Sequence, residues 1–372
     1  MLGILTFFRV YNYGAVLQAY CLQAFLGKRA VITEIIDYSQ VKQKDYTDIL
    51  SIHNGKKRFI KTLMLLPVLK RRLIRKDRFD KFIESELILS SKKYSEKNLK
   101  EANDMYSGYI VGSDQVWNTT KKAEMSSAYF LDFAENDKTK ISYASSIGVA
   151  EMEDLLPYRS FLLRFNSLSC REKTGCNILE KLLDREVKSV LDPTLIIDKS
   201  LLNFKNISIE HDNEKYILYY SLNGFDKRRV NMDILAQFAR KFSLKLKIIT
   251  PEWPFHSIGE EIIDAGPIEF VELIKHATLV CTTSFHGTAL AIRFNVPFFV
   301  LEGKNIRDRR KRDLLTALGI QSRIISTIKE ANNIETYEMH FESINQKLNE
   351  LQNESIDYLL SAIYKTGIEK EH

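Results

Sequence analysis

The chain has 372 residues, of which 45% are hydrophobic and 27% are charged. This composition is typical of a folded globular protein, and the length suits two domains rather than one small core. Its 54 basic and 48 acidic side chains leave a net charge of +6, a mild excess that favours small anionic ligands or an anionic surface and does not indicate nucleic acid.

The N-terminus and the cysteines bear on where the protein works. The first residues show neither a basic leader nor a long apolar stretch, so we expect no signal peptide. No apolar run reaches the length of a membrane-spanning helix. The cysteines have no metal-ligand spacing and suit a reduced, cytoplasmic protein without a metal site. They are Cys21, Cys170, Cys176 and Cys281.

The first predicted elements form a β-α-β unit, the building block of a parallel sheet. A strand is expected at 3–8, a helix follows it and ends at Gly27, and a second strand spans 31–38. Asn12 suits the N-cap of the helix, and Asn12 and Gly14 lie in a turn at the carboxyl end of the first strand. The turn lacks the GxGxxG pattern, so no nicotinamide cofactor is indicated.

Residues 40–105 are predicted to be a basic helical insertion that breaks near Pro67. Its basic side chains interleave with apolar ones between residues 56 and 82, which produces an amphipathic basic surface. Such a surface either packs on its own domain or attaches weakly to anionic lipid headgroups at the inner face of a membrane. The sequence leaves both interpretations open.

A polar loop follows the strand predicted at 109–111. Its sequence is GSDQVWN, and we expect Ser113, Asp114 and Gln115 to donate or accept hydrogen bonds toward a hydroxylated acceptor. The alternative is a turn in which Asp114 caps the next element and Trp117 anchors the loop in the core.

Arg171 lies where a short strand gives way to a helix, within residues 168–175. Its guanidinium group suits a carboxylate or phosphate held by two parallel hydrogen bonds, or an ion pair with Glu172 or another nearby acid. A strand at 141–144 and a helix at 154–166 are predicted before it.

A domain boundary is predicted near residue 200, where a polar stretch follows a strand at 187–191 that Asp192 and Pro193 bring to an end. The expected units are an N-terminal Rossmann-like domain, a C-terminal Rossmann-like domain and a helical tail, at 1–200, 201–336 and 337–372. Strands and helices alternate in the second half. Strands are predicted at 216–222 and 244–249, and helices at 226–242, 268–276 and 307–318.

The stretch 278–301 predicts a strand, a turn, a helix and a further strand. Ser284 and His286 lie in the turn, at the carboxyl edge of the sheet where open α/β folds bind ligands. Gly287 and Thr288 are expected to open the helix, whose free N–H groups and positive dipole end favour an anion. The alternative is that Ser284 is only an N-cap and His286 only a turn histidine.

Two similar α/β halves leave a cleft between their sheet edges. His286, Arg171, Lys304 and the turn with Asn12 and Gly14 all follow predicted strands, so we expect them to converge in that cleft.

Six segments carry a family resemblance. They are GILTFFRVYNYGAVLQAYCLQ, YIVGSDQVWN, ISYASSIG, SCREKTG, SVLDPTLII and SFHGTALAIRFNVPF. Through them the chain resembles the polysaccharide pyruvyl transferase family from residue 3 to about residue 323, and the basic insertion is the least typical part. Each segment is weak alone, whereas six in the family's order form a strong signal.

The resemblance implies a GT-B-like fold, in which two Rossmann-like domains face each other across a cleft. It also implies transfer of pyruvate from phosphoenolpyruvate, the donor substrate, to two hydroxyls of a sugar. The product would be a cyclic ketal on a surface polysaccharide or its lipid-linked precursor, as in exopolysaccharide biosynthesis. No cofactor is implied.

The family's donor-contacting residues correspond to His286, Arg171 and Lys304, and a further basic residue corresponds to Arg310 or to one of its neighbours Arg307, Arg309 and Arg312. Enolpyruvate becomes electrophilic at C2 only when C3 is protonated, which requires a general acid, and His286 is the candidate. Arg171 and Lys304 would hold the phosphate and carboxylate. Ser284, Gly287, Thr288, Asn12 and Gly14 complete the expected donor site.

Two other functions remain open. The same cleft suits a glycosyltransferase that uses a nucleotide sugar, because a helix N-terminus and basic residues bind a diphosphate equally well. A non-catalytic scaffold for polysaccharide assembly would not need His286. Donor dependence separates the two enzymes, and the effect of replacing His286 separates either from the scaffold.

Overall fold

The computed structural model describes residues 1–39, 65–120, 125–204, 214–222, 228–250, 258–302 and 309–365. Within these ranges the chain forms two parallel β-sheets of five and six strands, together with a two-stranded pair. The pattern confirms the predicted α/β class.

The first sheet has the strand order β3-β2-β1-β4-β5. Its strands are β1 Leu2–Leu5, β2 Thr33–Tyr38, β3 Leu89–Tyr94, β4 Gly108–Val111 and β5 Thr139–Ser142. The pair β6 Ser169–Cys170 and β7 Lys188–Ser189 lies beside β5, to which it is joined by isolated bridges.

The second sheet has the strand order β10-β9-β8-β11-β12-β13. Its strands are β8 Tyr216–Tyr220, β9 Lys245–Ile249, β10 Glu260–Glu261, β11 Leu279–Thr282, β12 Phe298–Leu301 and β13 Ile324–Ile325. All its pairings are parallel, so the carboxyl ends of neighbouring strands lie at one edge.

Helices connect the strands in the way that parallel sheets require. They are α1 Tyr13–Gly27, α2 Leu69–Glu86, α3 Met152–Leu155, α4 Arg159–Leu162, α5 Lys173–Leu183, α6 Pro193–Ile196, α7 Arg228–Phe242, α8 Pro267–Lys275, α9 Phe285–Phe294, α10 Arg310–Leu318, α11 Ile328–Asn332 and α12 Glu342–Tyr364. Short 3₁₀ segments lie at Leu66–Val68, Leu99–Asp104, Ser127–Phe130, Leu156–Tyr158, Lys199–Leu202 and Gln321–Arg323.

One apolar core is shared by both sheets, and each sheet has a further core on its other face. Successive strand residues point to opposite faces, so Ile4 and Leu218 enter the shared core while Leu5 and Tyr219 enter the outer cores. The shared core joins the halves through α1, α8 and α9, which all contribute buried side chains to it.

Some predicted elements differ from the structure for identifiable reasons. The helix expected at 154–166 is two short helices, because Pro157 lacks an N–H and stands in a 3₁₀ turn. The insertion predicted as helical contains the strand β3. Its sequence LSSKKY has the lysines of an edge strand rather than an apolar run, so the apolar pattern did not predict a strand there.

The basic helix α2 packs partly against the second half of the chain. Arg71 and Arg78 approach the carboxylate of Asp264 at 3.0 and 3.3 Å, and Arg78 also pairs with Glu269 at 3.1 Å. These contacts favour packing over lipid attachment for the described part of α2. The basic residues from 56 to 61 lie outside the described residues.

The last helix, α12, returns to the first half of the chain. The hydroxyl of Ser355 accepts a hydrogen bond from the Leu191 N–H at 2.9 Å, and the Tyr358 hydroxyl donates to the carbonyl oxygen of Ser142 at 3.0 Å. The first of these contacts lies directly before Asp192 in the chain.

We expect Leu359→Ala to lower the free energy of unfolding by about 3 kcal/mol, because it removes a fully buried side chain from the shared core. Denaturant titration measures the change. The neighbouring Leu360→Ala is the control and should cost clearly less, since Leu360 is only half-buried. Equal losses would contradict the buried position of α12.

Candidate active site

Two helix N-termini meet where the sheets face each other. Helix α1 follows β1, and α9 follows β11, so each begins at the carboxyl edge of its sheet. A Cβ atom added to Gly14 would lie 1.9 Å from Nδ1 of His286. The turn at Gly14 and the imidazole ring are therefore in direct contact, as the sequence predicted, and both helix dipoles place positive potential there.

Side chains cap both helices. The Asn12 side chain accepts hydrogen bonds from the Gly14 and Ala15 N–H groups at 2.9 and 3.4 Å, which confirms the predicted N-cap. The Ser284 hydroxyl accepts from the Gly287 N–H at 3.4 Å. Helix α9 begins at Phe285, two residues before the predicted start, so Gly287 lies inside its first turn.

His286, Arg171 and Asp192 form a buried cluster between the halves. One Arg171 nitrogen, Nη1, lies 2.6 Å from Oδ2 of Asp192, and Nε2 of His286 lies 3.4 Å from that same oxygen. The two basic groups are also 3.4 Å apart. Asp192 is fully buried and the other two are almost so, which strengthens these contacts by excluding water.

Further bonds fix the carboxylate of Asp192. Its Oδ2 accepts from the Ser113 hydroxyl at 2.7 Å, and its Oδ1 accepts from the Thr194 hydroxyl and N–H at 2.7 and 3.0 Å. Burial by itself would raise the pKa of Asp192. The charges of His286 and Arg171 and the hydrogen bonds of His286 and Thr194 outweigh the effect of burial and hold that pKa well below its usual range.

Asp192 was predicted to stop a strand and to act as a capping acid, and the hydrogen bond from the Thr194 N–H confirms the cap. Its partnership with Arg171 was missed. The sequence interpretation named an ion pair between Arg171 and either Glu172 or another acid, and the structure shows that this acid is Asp192. The available signal was a carboxylate at the carboxyl end of a strand, immediately before Pro193, in a chain whose other site residues follow strands.

We expect Asp192→Asn to lower the free energy of unfolding by about 2 kcal/mol, because the amide keeps the helix cap but removes the charge opposite Arg171. Since the folded-state pKa is depressed, the carboxylate's contribution is present above about pH 4 and is lost below it. Denaturant titration between pH 3 and pH 7 should therefore show a smaller pH dependence in the variant. Asp198→Asn, at an exposed N-cap, should change little.

Arg171 has hydrogen-bonding capacity to spare. Its Nε and Nη2 atoms are buried without a hydrogen-bond partner, and Nη2 lies 3.8 Å from the carboxylate of Asp114. The guanidinium carbon lies 4.2 Å from the centre of the Phe285 ring. A bound carboxylate or phosphate would satisfy the unused donors.

Glu172 organises the loop after β5. Its carboxylate accepts from the N–H groups of Ile147 and Gly148 at 2.8 and 3.2 Å and from the Ser146 hydroxyl at 3.0 Å. Burial raises the pKa of Glu172, and the charges of Arg171 and Arg310 oppose the rise. Arg310 begins α10 and is half-buried near this loop.

The residues expected to bind an acceptor divide into two groups. Ser113 is fully buried, and its hydroxyl donates a hydrogen bond to Asp192. Asp114 lies near Arg171 and has a strained backbone angle φ of 76°. Gln115 is half-buried, and its side-chain oxygen accepts a hydrogen bond from the Asn118 amide at 3.1 Å. The anchor role considered for Trp117 is confirmed, because its buried indole donates to the Tyr129 carbonyl at 2.8 Å.

Two other predicted residues are explained by packing. Thr288 is fully buried, and its hydroxyl donates to the Ser284 carbonyl at 2.9 Å. A Cβ atom on Gly287 would lie 2.6 Å from the Thr282 hydroxyl, so glycine permits the close approach of α9 to β11. Lys304 lies outside the described residues.

The described residues contain no helix long and apolar enough to cross a membrane. In the same part of the chain, no group of three or more histidine, cysteine or acidic side chains is placed to hold a metal ion.

Solved structures with a similar fold share little sequence with this chain. A protein described as a UDP-N-acetylglucosamine 2-epimerase from Listeria monocytogenes aligns with a TM-score of 0.54 at 13% identity, over 96% of this chain and 89% of its own. The Rickettsia bellii UDP-N-acetylglucosamine 2-epimerase aligns with a TM-score of 0.52 at 11% identity, over 98% and 96%. These neighbours are GT-B proteins, which confirms the predicted fold.

Sequence comparisons are more specific. No curated protein sequence matches the chain. The family model for polysaccharide pyruvyl transferase matches residues 12–305, which include every member of the buried cluster. The chain therefore belongs to the polysaccharide pyruvyl transferase family and is a transferase.

Proposed function

We propose that the enzyme transfers pyruvate from phosphoenolpyruvate to two hydroxyls of a sugar in a surface polysaccharide or its lipid-linked precursor. The observation that supports this proposal best is the buried Arg171, whose Nε and Nη2 lack partners beside His286 at two helix N-termini. Phosphoenolpyruvate carries the carboxylate and phosphate that such donors bind.

In the proposed reaction, His286 gives a proton to C3 of the enolpyruvate. The double-bond electrons form the new C3–H bond and leave C2 electrophilic. A sugar hydroxyl then attacks C2 and loses its proton. The bond from C2 to the phosphate oxygen breaks, and a second hydroxyl attacks C2 and loses its proton to close the ketal. Of the two hydroxyl protons, one returns to His286 and the other goes to the departing phosphate, so the products are the ketal and hydrogen phosphate.

Other residues of the chain would bind the donor, position His286 and contact the acceptor. Arg171 holds the donor's anionic groups and offsets charge on the departing phosphate. Asp192 lies 3.4 Å from Nε2 of His286 on one side, and the backbone of Gly14 packs against the Nδ1 side of the ring, so together they hold the imidazole in one position. Asp114 is the proposed contact for an acceptor hydroxyl, and Lys304 and Arg310 are proposed to assist with the donor.

The test is release of inorganic phosphate from phosphoenolpyruvate by the purified chain, with a panel of free and lipid-linked sugars. Acceptor-dependent release supports the proposal. Nucleotide sugars are assayed in parallel with the same acceptors. Turnover of a nucleotide sugar, with neither phosphate release nor thermal stabilisation by phosphoenolpyruvate, would instead support a glycosyltransferase.

A further inference from the structure

Arg75 is a buried cation in the cleft that the proposed reaction does not use. The residue is only 9% exposed, although it lies on the basic helix α2. Its Nη2 donates to the Tyr11 carbonyl oxygen at 2.6 Å, and its guanidinium carbon lies 5.2 Å from the ring centres of both Tyr13 and Phe79. These contacts fix the guanidinium group without neutralising its charge.

Arg75 differs from other cations on the same helix. Arg71, Lys76 and Arg78 each pair with a carboxylate. Among the residues that the structure describes, no acidic side chain lies within ion-pair distance of Arg75, and its Nε is buried without a hydrogen-bond partner. A buried unpaired cation is costly, so an anion bound beside it would be strongly favoured.

A cavity adjoins this guanidinium group. Its volume of about 10 Å³ is close to the minimum that holds one water molecule or one ligand oxygen. The ligand would therefore reach Arg75 with a single oxygen, and its remainder would lie outside the cavity. The lining residues are Tyr13, Arg72, Arg75, Ile249, Thr250, Ile262 and Ile263.

The cavity lies along the same sheet edge as the His286 cluster. Thr250 follows β9 and His286 follows β11, and β8 separates these two strands. Two strand spacings are roughly 10 Å. This separation is comparable to the length of one sugar ring that carries a phosphate, so an acceptor anchored by its phosphate at Arg75 could present its hydroxyls near His286.

We propose that Arg75 binds a phosphate oxygen of the acceptor, so that the acceptor is a sugar carried on a phosphate or diphosphate and not a free neutral saccharide. The inference rests on the proposed pyruvyl transfer and specifies its acceptor. The same chemistry occurs in a lipid diphosphate and in a nucleoside diphosphate, which the experiment distinguishes.

The binding test uses inorganic pyrophosphate as the probe and isothermal calorimetry as the measurement. We expect Arg75→Gln to weaken pyrophosphate binding about tenfold or more, because a charge-assisted hydrogen bond is lost. Arg75→Lys keeps the charge and should weaken it less. Lys81→Gln is the matched control, since it removes one charge from an exposed position of the same helix. Thermal melts of all variants establish that they are folded.

A second titration separates this site from the donor site. Saturating phosphoenolpyruvate should change the pyrophosphate affinity by no more than about twofold, because the two ligands occupy different sites. Arg75→Gln should leave phosphoenolpyruvate binding unchanged. If phosphoenolpyruvate does not bind while pyrophosphate binding still depends on Arg75, the donor assignment fails and the anion site stands.

Three results would overturn the inference. They are absence of pyrophosphate binding to the unmodified chain, equal affinity in Arg75→Gln and the unmodified chain, and full competition by phosphoenolpyruvate. Farnesyl diphosphate and uridine diphosphate are then titrated as probes of the two carriers. Under the proposal both depend on Arg75, and the one that binds more tightly than pyrophosphate identifies the carrier.

Discussion

Replacing His286 by Gln is expected to lower turnover of phosphoenolpyruvate about 1,000-fold, the scale of a lost general acid. Glutamine keeps a polar side chain of similar reach but cannot supply a proton at neutral pH. Phosphate release under saturating donor and acceptor measures the effect. Glutamine removes the positive charge beside Asp192, but that carboxylate retains Arg171 and Ser113 as partners, so the melting temperature should fall only modestly.

His276→Gln is the matched control for that substitution. His276 ends α8 on the same half of the chain, but its side chain is 41% exposed, so its replacement should leave turnover unchanged. A His286→Gln enzyme with more than about a tenth of the normal rate would remove His286 from the proton-transfer role. A large drop in melting temperature would instead assign His286 a structural role.

Local structure was largely readable from the sequence. The β-α-β unit at the N-terminus and the strand, turn and helix around His286 have apolar periodicity and capping residues within a few positions of each other. Asn12 illustrates this, because the two N–H groups that it caps belong to the next three residues. Such signals need no knowledge of the tertiary fold.

The partners within the site were not readable in this way. Ser113 and Asp192 are 79 positions apart, and Arg171 and His286 are 115 positions apart. Their meeting depends on strand order and on how the two sheets face each other, neither of which leaves a local pattern. The sequence placed Arg171 and His286 at strand ends but did not assign Asp192 to the cluster.

The position of Arg75 in the fold also could not be predicted from the sequence. In the sequence it is one of many basic residues in an amphipathic helix, and nothing separates it from Arg71 or Arg78. Only the folded chain shows that those two pair with acids while Arg75 is buried against Tyr13 and Phe79. Burial, rather than residue type, makes it a candidate binding group.

A single methyl group at position 14 should impair the enzyme severely. The Cβ of Gly14→Ala would lie 1.9 Å from Nδ1 and 2.4 Å from Cγ of His286, so the imidazole must move. Arg171 and Asp192 occupy its other side, at 3.4 Å from Nε2, and leave it little room to retreat. Displacing a reacting group by about 1 Å costs on the order of 100-fold in rate, and we expect turnover to fall by at least that factor.

The same helix provides the control, because Gly27 ends α1 as Gly14 opens it. A Cβ atom on Gly27 meets nothing within 4 Å, so Gly27→Ala should keep full activity and gain up to about 1 kcal/mol of stability from the better helix propensity of alanine. Kinetic assays and denaturant titrations of both variants test the pair. Normal turnover in Gly14→Ala would mean that the imidazole is free to work from another position, and the close contact of the two helix N-termini would then not be needed for catalysis.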